Sequence, residues 1–253
     1  MRTQSEDPEA ITSSRPGPCP GGDRAELNAP EAVRERRRTR RFFNLVSPAF
    51  ILIDRRLLPE YRNALAELEL SPALTVLDLG TGTGTLAGAF AERGHTVAGM
   101  DFARGLLRRA RRRLPEAHLL EMDLAELPRL SDGAYDVVTM AYLLHGLPPE
   151  LRRFTLCEAG RIARRFVLVF DYAAPVPWYV RAVEWIEGPH YPSFAARTTG
   201  DHAAEAGLEI RRAGMTSGFG GYWLAEPVHQ DARGAGRREG GDEPPALPEG
   251  SGS

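Results

Sequence analysis

The sequence predicts an α/β fold: a doubly wound, mostly parallel seven-stranded sheet with an antiparallel last strand and helices on both faces. Three observations carry this. Apolar runs of strand length alternate with helix-periodic runs through the middle of the chain, the order that builds βαβ units. The first apolar run, Thr75–Leu79, leads into a loop with glycine at 80, 82 and 84 and then a helix-forming run, which reads as buried strand, tight turn and helix N-terminus. The last two apolar runs have only a short connection near Met215–Gly220, which suits a hairpin and not a parallel crossover.

The 253 residues are enough for one α/β domain with tails. Residues 1–29 and 229–253 are rich in Pro, Gly, Ser and charge and are expected to be disordered, leaving a domain over 30–228. Strands are expected at Thr75–Leu79, Thr96–Met100, His118–Met122, Tyr135–Met140, Phe166–Phe170, Leu208–Ala213 and Gly221–Ala225. Helices are expected at Glu31–Phe42, Pro59–Glu69, Leu86–Arg93, Ala103–Arg113, Pro149–Ala163, Trp178–Glu187 and Ala195–Ala206. In such sheets ligands bind at the carboxyl ends of the strands. Asp78, Asp101, Asp123 and the segment after Met140 all fall there.

The chemistry of the loop follows from its spacing. A dinucleotide fingerprint reads G-x-G-x-x-G, whereas Gly80-Thr81-Gly82-Thr83-Gly84 reads G-x-G-x-G and follows Asp78. A carboxylate there would repel a pyrophosphate and attract an ammonium group. A cofactor with an amino-acid end and a nucleoside end fits, and S-adenosylmethionine is one. Asp101 ends the second strand about 20 residues past the first glycine, where Rossmann-type sheets carry a ribose-binding acid. Phe102 follows and could pack on adenine. The other reading of Asp101 is an N-cap for the helix Ala103–Arg113.

Asp78-Leu-Gly-Thr-Gly-Thr-Gly84, Asp101-Phe102, Glu121-Met-Asp-Leu124 and Tyr135-Asp-Val-Val138 resemble, in that order, the successive motifs of class I S-adenosylmethionine-dependent methyltransferases, over roughly Phe42 to Pro227. The resemblance implies a Rossmann-like fold. It implies that Gly80, Gly82 and Gly84 line the methionine and ribose portion, that Asp101 holds the ribose hydroxyls, and that Asp123 accepts the adenine amino group with Leu124 beside the ring. Thr81 in the loop, and Ala141 and Tyr142 after the fourth strand, join the cofactor-binding set. Phe43-Asn-Leu-Val-Ser-Pro48 is similar to the N-terminal helix of small-molecule members, including the quinone-biosynthesis type. Phe43 and Phe50 stand where those members often carry tyrosine.

The acceptor should meet the cofactor after the fourth strand, in Ala141-Tyr-Leu-Leu-His-Gly-Leu-Pro148. Methyl transfer is a displacement at a sulfonium, helped by a general base when the nucleophile carries a proton. His145 is the best-placed titratable group, and packing over the cofactor is its other reading. The Asn/Asp-Pro-Pro-Tyr type of motif that marks amino-methylating enzymes of nucleic acids and glutamine is absent. About 173–194, an aromatic and proline-rich segment with Trp178, Trp185, His190 and Tyr191 reads as a substrate lid over an apolar or aromatic small-molecule acceptor, or else as core. His190 and Tyr191 are secondary acid–base candidates.

Other features narrow the function. Net charge is −2, which gives no bulk electrostatic case for nucleic acid. All 32 basic residues are arginine, which excludes lysine Schiff-base chemistry. The run Arg34–Arg41 reads as a solvated helix face or as an anion-attracting arm. No His, Cys, Asp or Glu spacing suggests a metal site. The N-terminus lacks an apolar signal core and no stretch is long enough to span a membrane, so a cytoplasmic protein without stable membrane insertion is expected. Nothing in the sequence bears on oligomeric state. Two other functions compete with methyl transfer: a nicotinamide-dependent oxidoreductase, which the glycine spacing disfavours, and a non-catalytic cofactor- or partner-binding protein on the same scaffold.

Overall fold

In the computed structural model the described residues are 29–46, 50–173, 176–178, 190–216 and 218–228. The two expected tails, Trp185, most of the expected lid and the side chain of Phe50 lie outside them.

Two helices, α1 (Pro30–Val46) and α2 (Phe50–Leu68), precede the sheet. The chain then runs β1 (Thr75–Leu79), α3 (Thr85–Ala91), β2 (Thr96–Asp101), α4 (Arg104–Arg113), β3 (His118–Glu121), β4 (Tyr135–Ala141), α5 (Pro149–Ile162), β5 (Ala163–Tyr172), α6 (Tyr191–Ala195), α7 (Thr199–Glu205), β6 (Leu208–Met215) and β7 (Gly220–Pro227). The seven strands form one sheet in the order β3-β2-β1-β4-β5-β7-β6. β1 to β5 pair in parallel, and β7 is antiparallel to both β5 and β6.

Strand alternation divides the core in two. Leu77, Leu79, Val138, Met140, Val167 and Val169 point to one face, where Leu156, Ala159 and Ile162 of α5 cover them. Val76, Val137, Leu168 and Phe170 point to the other, against Tyr61 and Leu65 of α2 and Leu86, Ala89 and Phe90 of α3. Both faces of the central strands are covered, which is why they read as unbroken apolar runs. Asp78 is the exception inside this core, held in register between Gly99 of β2 and Thr139 of β4.

Several boundaries differ from expectation, among them the end of α1 at Val46 instead of Phe42, and three have a clear physical reason. α2 begins nine residues before Pro59 and runs through it. The Pro59 ring is exposed, so the helix loses a backbone bond without a clash in the core. The helix expected over Ala195–Ala206 starts only at Thr199, because Thr198 caps it, and α6 precedes it and ends at Ala195. Thr198 Oγ1 accepts the Asp201 N–H at 3.1 Å and Asp201 Oδ2 accepts the Thr198 N–H at 2.9 Å, a reciprocal capping box. β5 is ten residues long, extended by its pairing with β4 and β7 on its two sides. No helix among the described residues is long and apolar enough to cross a membrane.

Candidate functional site

A cavity of about 670 Å³ opens at the carboxyl ends of the strands. Its walls come from the glycine loop after β1, the ends of β2, β3 and β4, and α1 and α2 from above. It collects most of the residues singled out from sequence: Asp78, Gly80, Thr81, Gly82, Asp101, Phe102, Asp123, Leu124, Ala141, Tyr142, His145 and His190 all line it.

The loop geometry explains its glycines. Gly80 has φ +64°, and a Cβ there would lie 3.0 Å from Leu143 Cδ1. Gly84 does not line the cavity. At φ +76° it caps α3, and a Cβ would press on Ala110 of α4 and on Leu114, the residue that caps the end of α4, so it sets helix packing beneath the loop.

Three carboxylates face the cavity from successive strand ends. Asp78 is 2% exposed and accepts the Thr81 hydroxyl at 2.7 Å. Burial pushes its carboxyl up to about 7, the Thr81 bond opposes the rise and the neighbouring Asp101 charge adds to it. Asp101 accepts the Gly82 N–H at 2.9 Å on one oxygen and the Ala103 N–H at 2.7 Å on the other. Burial pushes it up to about 6 against those backbone bonds. The N-cap position of α4 is Ala103 and not Asp101; Asp101 instead ties the entry of that helix to the glycine loop, through backbone bonds from Gly82, Phe102 and Ala103. Asp123 caps the 3₁₀ turn Leu124–Arg129 by accepting the Ala125 N–H at 3.0 Å, and its other oxygen lies 3.2 Å from Arg36 Nε. Phe102 meets Phe43 of α1 with ring centroids 6.2 Å apart.

The opposite wall is built from β4, β5 and the 3₁₀ turn Leu144–Gly146. His145 is 4% exposed, and its Nδ1 is 2.7 Å from Oδ1 of Asp171, which is fully buried at the end of β5. The second oxygen of Asp171 accepts the Leu144 and His145 backbone N–H groups at 3.0 and 3.3 Å. Tyr142 turns this wall with φ +49°, a left-handed conformation uncommon for a non-glycine residue, and its ring packs edge-on to Tyr172 at 5.3 Å. Burial pushes the Tyr142 phenol up to about 12, so it is neutral at ordinary pH.

The two secondary candidates part company. His190 lines the cavity, but its Nε2 is 2.7 Å from Glu35 Oε1 on α1, so it fastens that helix. Tyr191 is not brought to the cavity wall. It is 8% exposed, packs on Tyr172 at 5.6 Å, and its hydroxyl oxygen accepts the Val176 N–H at 3.4 Å; its place at the start of α6 turns it into the packing behind the wall.

Sequence reasoning missed Asp54, Arg36, Glu35 and the partnership of Asp171. Asp54 on α2 lies under the loop, accepting the Thr83 and Thr85 hydroxyls at 2.6 Å each with Arg113 at 3.3 Å. The arginine run is not wholly a solvated face: Arg36 pairs with Asp123 and Arg40 with Glu121. Their i, i+4 spacing was the available signal. Among the described residues no group of His, Cys, Asp and Glu could hold a metal ion.

Residues 76–165 match the methyltransferase domain family. The chain is 33% identical over 119 residues to a demethylmenaquinone methyltransferase of Beutenbergia cavernae, covering 46% of this chain and 48% of that protein. It is 34% identical over 123 residues to a 2-heptyl-1-hydroxyquinolin-4(1H)-one methyltransferase of Mycobacteroides abscessus, covering 46% and 51%. The alignment thus spans about half the length of these two relatives. Among solved structures, an S-adenosylmethionine-dependent methyltransferase from Aquifex aeolicus superposes with a TM-score of 0.56 at 19% identity, over 72% of this chain and 98% of that one. The magnesium protoporphyrin IX methyltransferase of Synechocystis, solved with bound S-adenosylhomocysteine, gives 0.52 at 19%, over 80% and 96%. At these identities the structures speak for the fold alone.

Proposed function

We propose that this chain, whose residues 76–165 form a class I methyltransferase domain with the Rossmann-like sheet of that class, transfers a methyl group from S-adenosylmethionine to a small-molecule acceptor and releases S-adenosylhomocysteine. The observation that carries the proposal is one cavity that joins a glycine loop and three strand-end carboxylates on one wall to a buried His–Asp pair on the other.

The residues present fit the cofactor. Asp78 is a buried acid that meets the Thr81 hydroxyl, the Ala87 N–H and the Asp101 carboxyl, none of them a cation, and an ammonium group would supply the missing charge. Asp101 accepts backbone bonds from Gly82, Phe102 and Ala103, and a carboxylate with about four acceptor positions keeps capacity for a ribose hydroxyl. Gly80 and Gly82 offer bare backbone at the cavity wall. Asp123, with Leu124 and Phe102 beside it, suits an adenine amino group and ring. When bound, the cofactor supplies an electrophilic methyl on a sulfonium. The chain's own work is to orient the acceptor, exclude water with α1 and α2, and hold charge at fixed places.

The acceptor is read as a flat, mostly apolar ring system. Tyr142, Tyr172, Phe219, Leu143 and Leu147 give the far wall this character. The names of the two relatives, one for demethylmenaquinone and one for a hydroxyquinolone, are in keeping with it. The protein is read as cytoplasmic. The test is transfer of label from methyl-tritiated S-adenosylmethionine to a panel of hydroxyquinones and hydroxyquinolones. Label in an extractable product supports the proposal; cofactor binding with no transfer to any acceptor of this type would favour a binding protein on the same scaffold.

A further inference from the structure

Two arginines line the cavity, and their surroundings differ. Arg36 of α1 pairs with Asp123 at 3.2 Å. Arg56 of α2 makes neither an ion pair nor a hydrogen bond among the described residues. Its guanidinium lies against the turn between β6 and β7, where a Cβ added to Gly218 would stand 3.5 Å from Nη2. β7 begins at Gly220, opposite Tyr172 at the carboxyl end of β5. In the sheet β7 is separated from β1 by β4 and β5, three strand spacings. At about 4.8 Å each, that puts the guanidinium roughly 14 Å from the glycine loop. This cation therefore belongs to the acceptor end of the cavity and not to the end where Asp78, Asp101 and Asp123 stand.

The surface beside Arg56 is aromatic. Tyr142, Tyr172 and Phe219 form one run, with successive ring centroids 5.3 and 5.8 Å apart. A side chain at Gly220 would collide with the Tyr142 hydroxyl, so bare backbone completes this wall. The charge of Arg56 reaches it: the guanidinium lowers the Tyr142 phenol against the larger upward push of burial. The acids nearby are occupied elsewhere. Glu60, one turn along α2, is buried and acts inward, raising the Tyr61 and Tyr142 phenols, and it makes no ion pair with Arg56. Asp171 is fully buried, and its oxygens accept the backbone N–H groups of Leu144, His145 and Tyr172. The acceptor wall thus carries a positive charge at its rim that no described side chain neutralises.

We infer that Arg56 selects the acceptor: the ring system bears an anionic group, a carboxylate or an ionised hydroxyl beside a ring carbonyl, which the guanidinium holds while the ring lies against Tyr142, Tyr172 and Phe219. This rests on the methyl-transfer reading above and narrows its acceptor. A guanidinium presents parallel N–H donors that match two oxygens side by side, which both of these groups offer. A neutral ring would cover the cation without pairing it, and a cationic ring would be repelled. No covalent bond is made or broken in this role, so Arg56 is a specificity residue and not a catalytic one. Its side chain is exposed, so one face of the guanidinium keeps its water. The preference for an anion therefore falls between that of a surface ion pair and that of a buried charge-assisted bond, at roughly 5- to 20-fold.

The test is calorimetric titration of flat ring probes into the full chain, with and without saturating S-adenosylhomocysteine. 2-Naphthoate is compared with 2-naphthamide, and the anion of 2-hydroxy-1,4-naphthoquinone with the neutral 2-amino-1,4-naphthoquinone. The two pairs distinguish a carboxylate from an ionised ring hydroxyl. At least one anion should bind roughly 5- to 20-fold more tightly than its neutral partner. Arg56→Gln should remove that preference and leave S-adenosylhomocysteine affinity unchanged, and Arg56→Lys should keep part of it. No preference in wild type, no binding of either anion, or a preference that survives in Arg56→Gln would overturn the inference. So would a matching loss of S-adenosylhomocysteine affinity in Arg56→Gln, because Arg56 would then hold the carboxylate of the cofactor. A wild-type protein that shows the Arg56-dependent preference but binds no S-adenosylhomocysteine would keep the anion site and sink the methyl-transfer reading instead.

Discussion

Asp78 is where site chemistry and fold stability oppose each other most directly. The residue sits in the centre of the sheet with 2% of its surface exposed, and burial moves its carboxyl from 3.8 to about 7. The folded chain therefore binds this proton more tightly than the unfolded chain. The stability that the protonated acid contributes is fully present below about pH 3.8 and is lost as the pH rises through about 7. At roughly 1.4 kcal/mol per unit, the stability lost relative to the acid limit is about 2 kcal/mol at pH 5, where the unfolded acid has ionised and the folded one has not, and about 4 kcal/mol at pH 8. In Asp78→Asn the amide can donate to Thr81 Oγ1 while its oxygen accepts the Ala87 N–H, so the local bonds survive. Urea unfolding of the ligand-free proteins at both pH values reads chiefly this group, because the titrations other than that of the neighbouring Asp101 are common to the two. The stability of the variant relative to wild type should improve by about 2 kcal/mol between pH 5 and pH 8. At pH 8 the same substitution should weaken S-adenosylhomocysteine binding by roughly 10-fold or more, through loss of a charge-assisted bond to its ammonium. A stability difference that is the same at both pH values, or that moves toward wild type at pH 8, would refute the reasoning about Asp78.

Other expectations are simpler. Asp101→Ala removes the acceptor of the Gly82 and Ala103 N–H groups together with the proposed ribose contacts, so S-adenosylhomocysteine affinity by calorimetry should fall about 10- to 100-fold, at roughly 1 kcal/mol per lost bond. Arg36→Ala frees Asp123 from α1; limited proteolysis should cut within α1 sooner in the variant, and 1 M salt should have the same effect on wild type through screening of the Arg36 and Arg40 pairs. Gly80→Ala places a Cβ at φ +64° and 3.0 Å from Leu143; it should cost about 1–2 kcal/mol in denaturant unfolding. Phe170→Ala empties a position between Tyr61 and Tyr222 and should cost about 3–5 kcal/mol by the same measure.

What was legible in the sequence is what local pattern encodes. The short unbroken apolar runs around Val76-Leu77 and Val137-Val138 marked buried strands, and both of their faces are covered. The spacing Gly80-Gly82-Gly84 marked the loop, and Asp101 and Asp123 fell at strand ends beside it. The hairpin β6–β7 followed from the length of its connection. Contacts between distant segments were not legible. Asp54 reaches the loop hydroxyls only because α2 passes through Pro59 and begins earlier than its proline suggested. Asp171 meets His145 because β5 lies next to β4 with Ala141 opposite Phe170, a register that neither strand states alone. Arg36 and Arg40 read as solvent-facing because charge density does not reveal which helix face meets acids; their carboxylate partners are 87 and 81 residues away in the chain. The Thr198–Asp201 capping box is a local signal that the sequence carries, and it sets the start of α7 past the alanines at 195 and 196.

The central claim is that the cavity at the strand ends is built for a cofactor with an ammonium and a nucleoside end. Calorimetric titration of the purified protein with S-adenosylhomocysteine, with NADH in parallel, tests it most directly. The expected result is micromolar binding of S-adenosylhomocysteine and none of NADH, reduced in Asp101→Ala. Binding of NADH alone, or of neither ligand by a folded protein, would contradict it.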